Sequence, residues 1–264
     1  AVTYDSLCEV RVVKKPNAYA VEVVYDNGQD EVECTDNGRY ASIDLGVSNF
    51  ATVTSNMNGF QPFVIDGRYI KSVNRYYNKE VSRYKSILDC RNKGKKVSKR
   101  IYRLTDKRNN RMSDFVHKAS RMIVNQLVSN DIRTLVVGYN KTWKQDINIG
   151  RRNNQTFVQI PHERFLKVLD YKCKLEGIKF LTVDESYTSK CSFLDGEDVC
   201  KHDVYCGRRI KRGLFKSADG TLINADVNGS YNILRKCMPN AFDANGVVGV
   251  LVHPVVIKAT NAFQ

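Results

Sequence analysis

Tyr40-Ala-Ser-Ile-Asp44-Leu-Gly-Val-Ser-Asn49-Phe50-Ala-Thr-Val-Thr54 reads as an apolar strand, a tight turn and a returning strand. One carboxylate, Asp44, falls near the end of the first strand. A charge in a β-branched, buried strand is costly unless something pairs with it, and a divalent metal is a common partner. Gly46 and Asn49 supply the turn chemistry for an antiparallel return. Taken alone, Asp44 reads as an edge-strand residue capping its own turn. Its meaning depends on partner carboxylates elsewhere in the chain.

On the N-terminal side, residues 9–13, 19–25 and 31–34 are short strand-like runs separated by Asn and Gly turns such as Asp26-Asn-Gly28 and Asp36-Asn-Gly38. They are too few to close a barrel. The chain opens on Ala1, as expected of a fragment or a processed product. On the C-terminal side, Pro62-Phe-Val-Ile65 continues the meander as a third strand. The period then changes: Ile70, Val73, Tyr77, Val81, Tyr84 and Leu88 form a helical stripe that Asn92-Lys-Gly94 breaks. A second helical run over 97–128 carries Ile101, Leu104, Phe115, Ala119, Ile123 and Leu127. Ile132-Arg-Thr-Leu-Val-Val-Gly138 follows as a buried strand, parallel to the first.

After a polar loop over 139–155, Pro161 opens a helix that stops near Gly177, and residues 179–183 form a strand ending in Asp184-Glu185. A loop-rich insertion over 186–222 precedes a last helix beginning at Asn224-Ala-Asp226. Three antiparallel strands followed by helix-delivered parallel strands predict an α/β, ribonuclease H-like fold. In that fold the ends of the first and fourth strands lie side by side under the last helix, so functional carboxylates are expected on those elements. Asp44 lies on the first, and Asp226 in the first turn of the last helix, where a carboxylate also suits the helix dipole.

The 42 Lys and Arg residues outnumber the 28 Asp and Glu, a formal net charge of +14. Between Arg68 and Arg111 there are 16 basic and three acidic residues, a local excess of 13. A solvated helix face mixes signs, whereas one-sign charge interleaved with Tyr69, Tyr76, Tyr77, Tyr84 and Tyr102 suits nucleic acid. The eight cysteines are scattered without a C-x-x-C pair, and nothing resembles a secretion signal or a membrane span. Reduced thiols and a cytoplasmic location are expected, or a nuclear one in a eukaryotic relative, with no membrane partner.

Three motifs resemble the TnpB (OrfB) proteins of bacterial insertion sequences, relatives of Fanzor and type V CRISPR effectors. They are Asp44-Leu-Gly-Val-Ser-Asn49-Phe-Ala-Thr52, Glu185-Ser-Tyr-Thr-Ser-Lys190 and Asn224-Ala-Asp226-Val-Asn-Gly-Ser-Tyr-Asn-Ile233. The resemblance runs from about residue 40 to Val252-His-Pro254. It implies an RNA-guided DNA endonuclease with a RuvC-type core, and guide RNA and target DNA as partners. It divides the chain into a partial β-rich wedge segment (1–39), the nuclease core with its basic helices over 68–128 (40–186), a target-binding insertion (187–222), and the last helix and tail (223–264). The family's helical recognition part is expected to lie outside this chain.

Two departures matter. Many relatives place a catalytic Glu where this chain has Gly138. Glu185 ends the next strand, and adjacent strands are only about 4.8 Å apart, so its side chain would lean across the gap that Gly138 leaves. Asp44, Glu185 and Asp226 are therefore the expected catalytic residues and metal ligands, with Asp184 the alternative for the middle position. The expected cofactor is two Mg²⁺ ions, with Mn²⁺ as a substitute. Secondly, the insertion lacks the paired C-x-x-C of a zinc ribbon; the spacing of Cys191, Cys200, His202 and Cys206 matches no common knuckle, and zinc is not expected. Expected nucleic-acid contacts are Arg75, Lys79, Arg83, Lys95, Lys96, Lys99, Arg100 and Arg103 in the basic block. Lys144, Arg151 and Arg152, near Trp143, and Lys211 and Arg212 in the insertion complete the set. The competing readings are a nuclease-inactive RNA-guided repressor and a DDE-type transposase.

Overall fold

The structure is a computed structural model that describes residues 6–15, 18–26, 28, 34–91, 97–140, 159–242 and 252–259. β1 (Leu7–Lys15) and β2 (Ala18–Tyr25) pair antiparallel as a separate two-stranded hairpin, with Val12, Tyr19 and Val21 exposed. Of the strand expected at 31–34, only Cys34 lies within the described residues. The Asp44 stretch forms β3 (Tyr40–Leu45) and β4 (Asn49–Ser55), followed by β5 (Phe63–Asp66). The basic block forms α1 (Arg68–Arg91) and α2 (Lys99–Ser129), the second capped by Ser98, whose side chain accepts the Ile101 N–H. Then come β6 (Thr134–Gly138), α3 (His162–Leu175) and β7 (Lys179–Val183).

The insertion departs from the loop-rich expectation. It holds β8 (Arg208–Lys211) and β9 (Leu214–Lys216), which join β10 (Leu222–Asn224) in a small antiparallel sheet leading into α4 (Ala225–Cys237). A final strand, β11 (Val255–Ile257), pairs parallel with β5 and was not legible as a strand in the sequence. The main sheet has the order β11-β5-β4-β3-β6-β7. β3 is central, antiparallel to β4 and parallel to β6, and β6 is parallel to β7. The result is a mixed α/β architecture with helices on both sides of the sheet.

Alternation along β3 gives the sheet two different faces. Ala41, Ile43 and Leu45, with Leu135 and Val137 of β6, pack in one core with Phe115 and Ile123 of α2 and Phe165 and Leu169 of α3. Phe50 anchors this side, its ring edge-on to Phe115 at 5.0 Å and to Phe165 at 4.7 Å. His162, fully buried, stacks on Phe50 at 5.7 Å and sets Nε2 3.0 Å from the Gly46 carbonyl. The start of α3 thereby braces the turn that follows Asp44.

The other face receives α4 through buried hydroxyls rather than a purely apolar seam. Ser42 Oγ donates to the Ser230 carbonyl at 2.6 Å, and Thr54 Oγ1 donates to Ser230 Oγ at 2.9 Å. Small residues let the helix approach closely: a Cβ on Gly229 would lie 3.1 Å from Asp44 Oδ2. Val136 packs beside this polar seam against Ile233 and Leu234. The hydroxyls fix the helix in rotation and depth, which apolar contacts alone leave looser.

Candidate functional site

Asp44 sits one step past the Ile43–Val137 pair that joins β3 to β6, which places it beside Gly138 at the end of β6. Gly138 is in turn paired with Val183, the last residue of β7. Glu185 lies two residues further, in the turn after β7 rather than on the strand itself. Its carbonyl accepts both the Thr188 N–H at 3.2 Å and the Thr188 hydroxyl at 2.7 Å. This turn is tight enough to hold Tyr187 at φ 70°, an uncommon conformation for a non-glycine residue. Asp226 enters from above, in the first turn of α4, whose N-terminus is capped by Asn224 Oδ1 accepting the Asp226 and Val227 N–H groups.

A Cβ on Gly138 would fall 2.4 Å from Ile233 Cδ1 and 3.4 Å from the Glu185 Cβ. The space that a side chain at 138 would take is thus filled from one side by the α4 isoleucine and bordered on the other by Glu185. Gly138→Ala is expected to cost about 1–3 kcal/mol by overpacking a buried site. Urea unfolding of G138A, I233V and the double variant checks this, and the double variant should lose less than the sum of the singles.

Both Asp226 and Glu185 lie close enough to act on the Asp44 carboxyl. Burial holds Asp44 well above the usual carboxylate range, Asp226 and then Glu185 push it further, and Arg209 opposes them. Glu185 is pushed up to about 7 by burial and by Asp184, with Lys236 opposing. Asp184 behaves differently. It is exposed, is held below its ordinary value by Ser186 and Lys236 despite some desolvation, and pairs with Lys236 Nζ at 3.4 Å. The two adjacent carboxylates therefore have separate environments, Glu185 beside Gly138 and Asp184 beside a lysine.

Asp226 has two protein partners. Asn49 Nδ2 donates to Oδ2 at 2.5 Å, and Arg209 on β8 lies 3.5 Å from Oδ1. Neither contact was legible in the sequence: Asn49 reads as a turn residue, and nothing local distinguishes Arg209 from Lys211 and Arg212. The donor set of three carboxylates suits a hard divalent cation, and the repulsion on Asp44 is what such an ion relieves. In this arrangement, however, no group of three or more His, Cys, Asp or Glu side chains among the described residues is gathered tightly enough to hold an ion. Asp226 is turned to Asn49 and Arg209 instead.

In the insertion, Cys191 is buried and its thiol donates to the Cys200 carbonyl at 3.5 Å. Cys200 and Cys206 are exposed, and Cys200 Sγ lies 3.3 Å from His202 Nε2.

Of the expected nucleic-acid contacts, Arg75, Lys79, Arg83, Lys99, Arg100 and Arg103 are exposed on α1 and α2. The guanidinium groups of Arg83 and Arg100 lie 5.6 and 4.9 Å from the Tyr84 ring centroid, bringing both helices' cations to one aromatic. Lys211 and Arg212 are exposed at the tip between β8 and β9. Lys95, Lys96, Lys144, Arg151 and Arg152 lie outside the described residues, as does Trp143. Among the described residues no helix is long and apolar enough to cross a membrane.

Comparison with known proteins gives a consistent family. Residues 19–144 match the OrfB_IS605 family model, described as a probable transposase, and residues 162–233 match the Cas12f1-like TNB domain. The TnpB-like protein ORF457 of Acidianus two-tailed virus is 25% identical over 226 residues, covering 82% of this chain and 44% of that protein. The cryo-EM structure of a Cas12f1–sgRNA–target DNA complex superposes with a TM-score of 0.52 at 19% identity, covering 85% of this chain and 55% of the other. A CRISPR-Cas12f ternary complex gives 0.50 at 18% identity, covering 85% and 44%. The chain thus spans about half the length of the relatives it matches. With the two family models meeting successive parts of the chain, a TnpB-like viral relative and a fold agreeing with Cas12f1, the chain is similar to the TnpB (OrfB) family over most of its length.

Proposed function

We propose that the chain carries the nuclease core of an RNA-guided DNA endonuclease, a ribonuclease H-like, RuvC-type core that hydrolyses DNA phosphodiesters. The observation that carries this reading is the placement of Asp44 and Glu185 on either side of Gly138 at the ends of neighbouring strands, with Asp226 on α4 close enough to act on Asp44. In this reading residues 1–39 are a partial wedge segment, 40–186 and 223–264 form the core, and 187–222 contacts the target. Asp44, Glu185 and Asp226 would hold two Mg²⁺ or Mn²⁺ ions, which when bound supply water activation and stabilisation of the leaving oxygen. Asn49 and Arg209 would orient the Asp226 carboxylate for this role. The chain's own contribution is to hold the carboxylates at the mouth of the sheet and to place cations around the strand being cut.

Guide RNA and target DNA are the proposed partners. The cationic face of α1 and α2 meets phosphates, while base pairing reads sequence. The test uses the native protein with the RNA that copurifies with it. A matching DNA duplex should be cut in Mg²⁺ and left intact in EDTA; an RNA-loaded complex that binds the duplex but never cuts it sinks the nuclease reading. That outcome would favour a nuclease-inactive RNA-guided DNA-binding protein, a second reading for which Gly138, standing where many relatives carry a catalytic Glu, speaks. Neutralising Lys79, Arg83, Arg100 and Arg103 together should weaken RNA binding and flatten its salt dependence, by about 0.7–0.9 in log–log slope per lost phosphate contact. A salt titration of RNA affinity checks this.

A further inference from the structure

The insertion is tied together by a carboxylate. Glu197 is buried, with 7% of its surface exposed. Its Oε2 accepts the Ser192 N–H at 2.6 Å, and its Oε1 accepts the Cys206 N–H at 2.9 Å. Backbone amides that donate to a carboxylate make short, strong bonds.

The two amides belong to different arms of the insertion. The first arm, around residues 188–193, is bound to α4. Asn228 Nδ2 donates to the Cys191 carbonyl at 2.9 Å while Asn228 Oδ1 accepts the Phe193 N–H at 2.9 Å. Asn232 Nδ2 reaches the Thr188 and Cys191 carbonyls at 2.9 and 2.7 Å. Arg235 adds donations to the Phe193 carbonyl at 2.6 Å and to the Glu197 carbonyl at 3.2 Å, with its guanidinium over the Phe193 ring. The second arm leads from Cys206 into β8, which carries Arg209 to Asp226. A closed circuit therefore leaves α4 through Asn228, Asn232 and Arg235, crosses between arms at Glu197, and returns to α4 through Arg209.

We propose that Glu197 is a positioning residue of the site: its carboxylate locks β8 to the arm held by α4 and so sets Arg209 against Asp226. This rests on the reading of Asp44, Glu185 and Asp226 as a nuclease site. Glu197 touches none of the three carboxylates and acts only through Arg209. No thiol is needed for this tie, since both bonds run to backbone amides.

The test is a double-mutant cycle in the native RNA-loaded complex, with the cutting rate of a matching duplex measured at saturating DNA in Mg²⁺. E197A and R209A should each slow cutting by about tenfold, and E197A/R209A should be no slower than R209A, because both remove one device. E197Q, which keeps one acceptor oxygen, should fall between the wild type and E197A. Losses that multiply, or an E197A complex as fast as the wild type, overturn the proposal. A second readout does not need cutting. Hydrogen exchange of the 264-residue chain should speed up over residues 206–211 in both E197A and E197Q, with β3 and β6 unchanged. Unaltered exchange over 206–211 overturns the proposal even if the complex cuts. A wild-type complex that fails to cut overturns the nuclease reading and leaves exchange to judge Glu197.

Discussion

Asp44→Asn should abolish DNA cutting by the native RNA-loaded complex, lowering the rate at saturating DNA by roughly a thousandfold, about 4 kcal/mol of barrier. Asn keeps the shape of Asp44 and removes the charge that Asp226 and Glu185 face. RNA and DNA affinity, which the proposed function assigns to α1 and α2, should stay within about twofold of wild type. Glu185→Gln should be nearly as damaging. Asp184→Ala, one residue away, should cut almost normally, because Asp184 is exposed and bound to Lys236 and Ser186. Rate measurements on these three variants test the middle carboxylate directly. If Asp184→Ala were the inactive member of the pair, the assignment of Glu185 would fail.

The second large effect is on stability and requires no nucleic acid. Glu185 has an ordinary value of 4.5 and is pushed up to about 7 in the folded chain. The folded state therefore holds this proton more tightly than the unfolded state does. Below about pH 4.5 both states are protonated and Glu185 costs nothing. As pH rises towards 7 the folded chain must give up a proton it favours, and above 7 the penalty is complete, on the order of 3 kcal/mol. Asp44 works in the same direction, from its own ordinary value upward. His117, whose pKa is lowered chiefly by burial, works in the opposite direction at acidic pH, so wild type must be compared with a variant rather than with itself. In EDTA, Glu185→Gln should match wild type near pH 4.5. It should exceed wild type by about 3 kcal/mol at pH 7.5, read from urea unfolding midpoints. A variant less stable than wild type at pH 7.5 would contradict the buried, repelled carboxylate.

The fold was largely legible because its elements announce themselves locally. The period changes at residue 68, the Gly and Pro punctuation near 161 and 177, and the Asn224 cap each fall within two residues of an observed boundary. Asp44 and Asp226 could be placed because each sits on a long, strongly patterned element. Glu185 was reached only through the resemblance and the gap at Gly138. The unread parts depend on contacts far apart in sequence. Arg209 is one cation in a basic run until the chain folds it onto Asp226, 17 residues later. Asn49 has a sufficient local explanation as a turn residue, which hides its bond to Asp226, 177 residues away. β8, β9 and β11 are three or four residues long, too short for any periodicity to register. Glu197 looks like one acid in a charged loop, and only its burial reveals it.

The packing around Gly138 also bears on how this site could change. A glutamate at position 138 would need the volume that Ile233 fills and would place another negative charge beside Glu185 and Asp44. A lone Gly138→Glu substitution therefore meets both a steric and an electrostatic barrier while Glu185 remains, and deleting Glu185 first leaves the site one carboxylate short. On the proposed reading, positions 138 and 185 are alternative seats for one carboxylate while Ile233 stays in place.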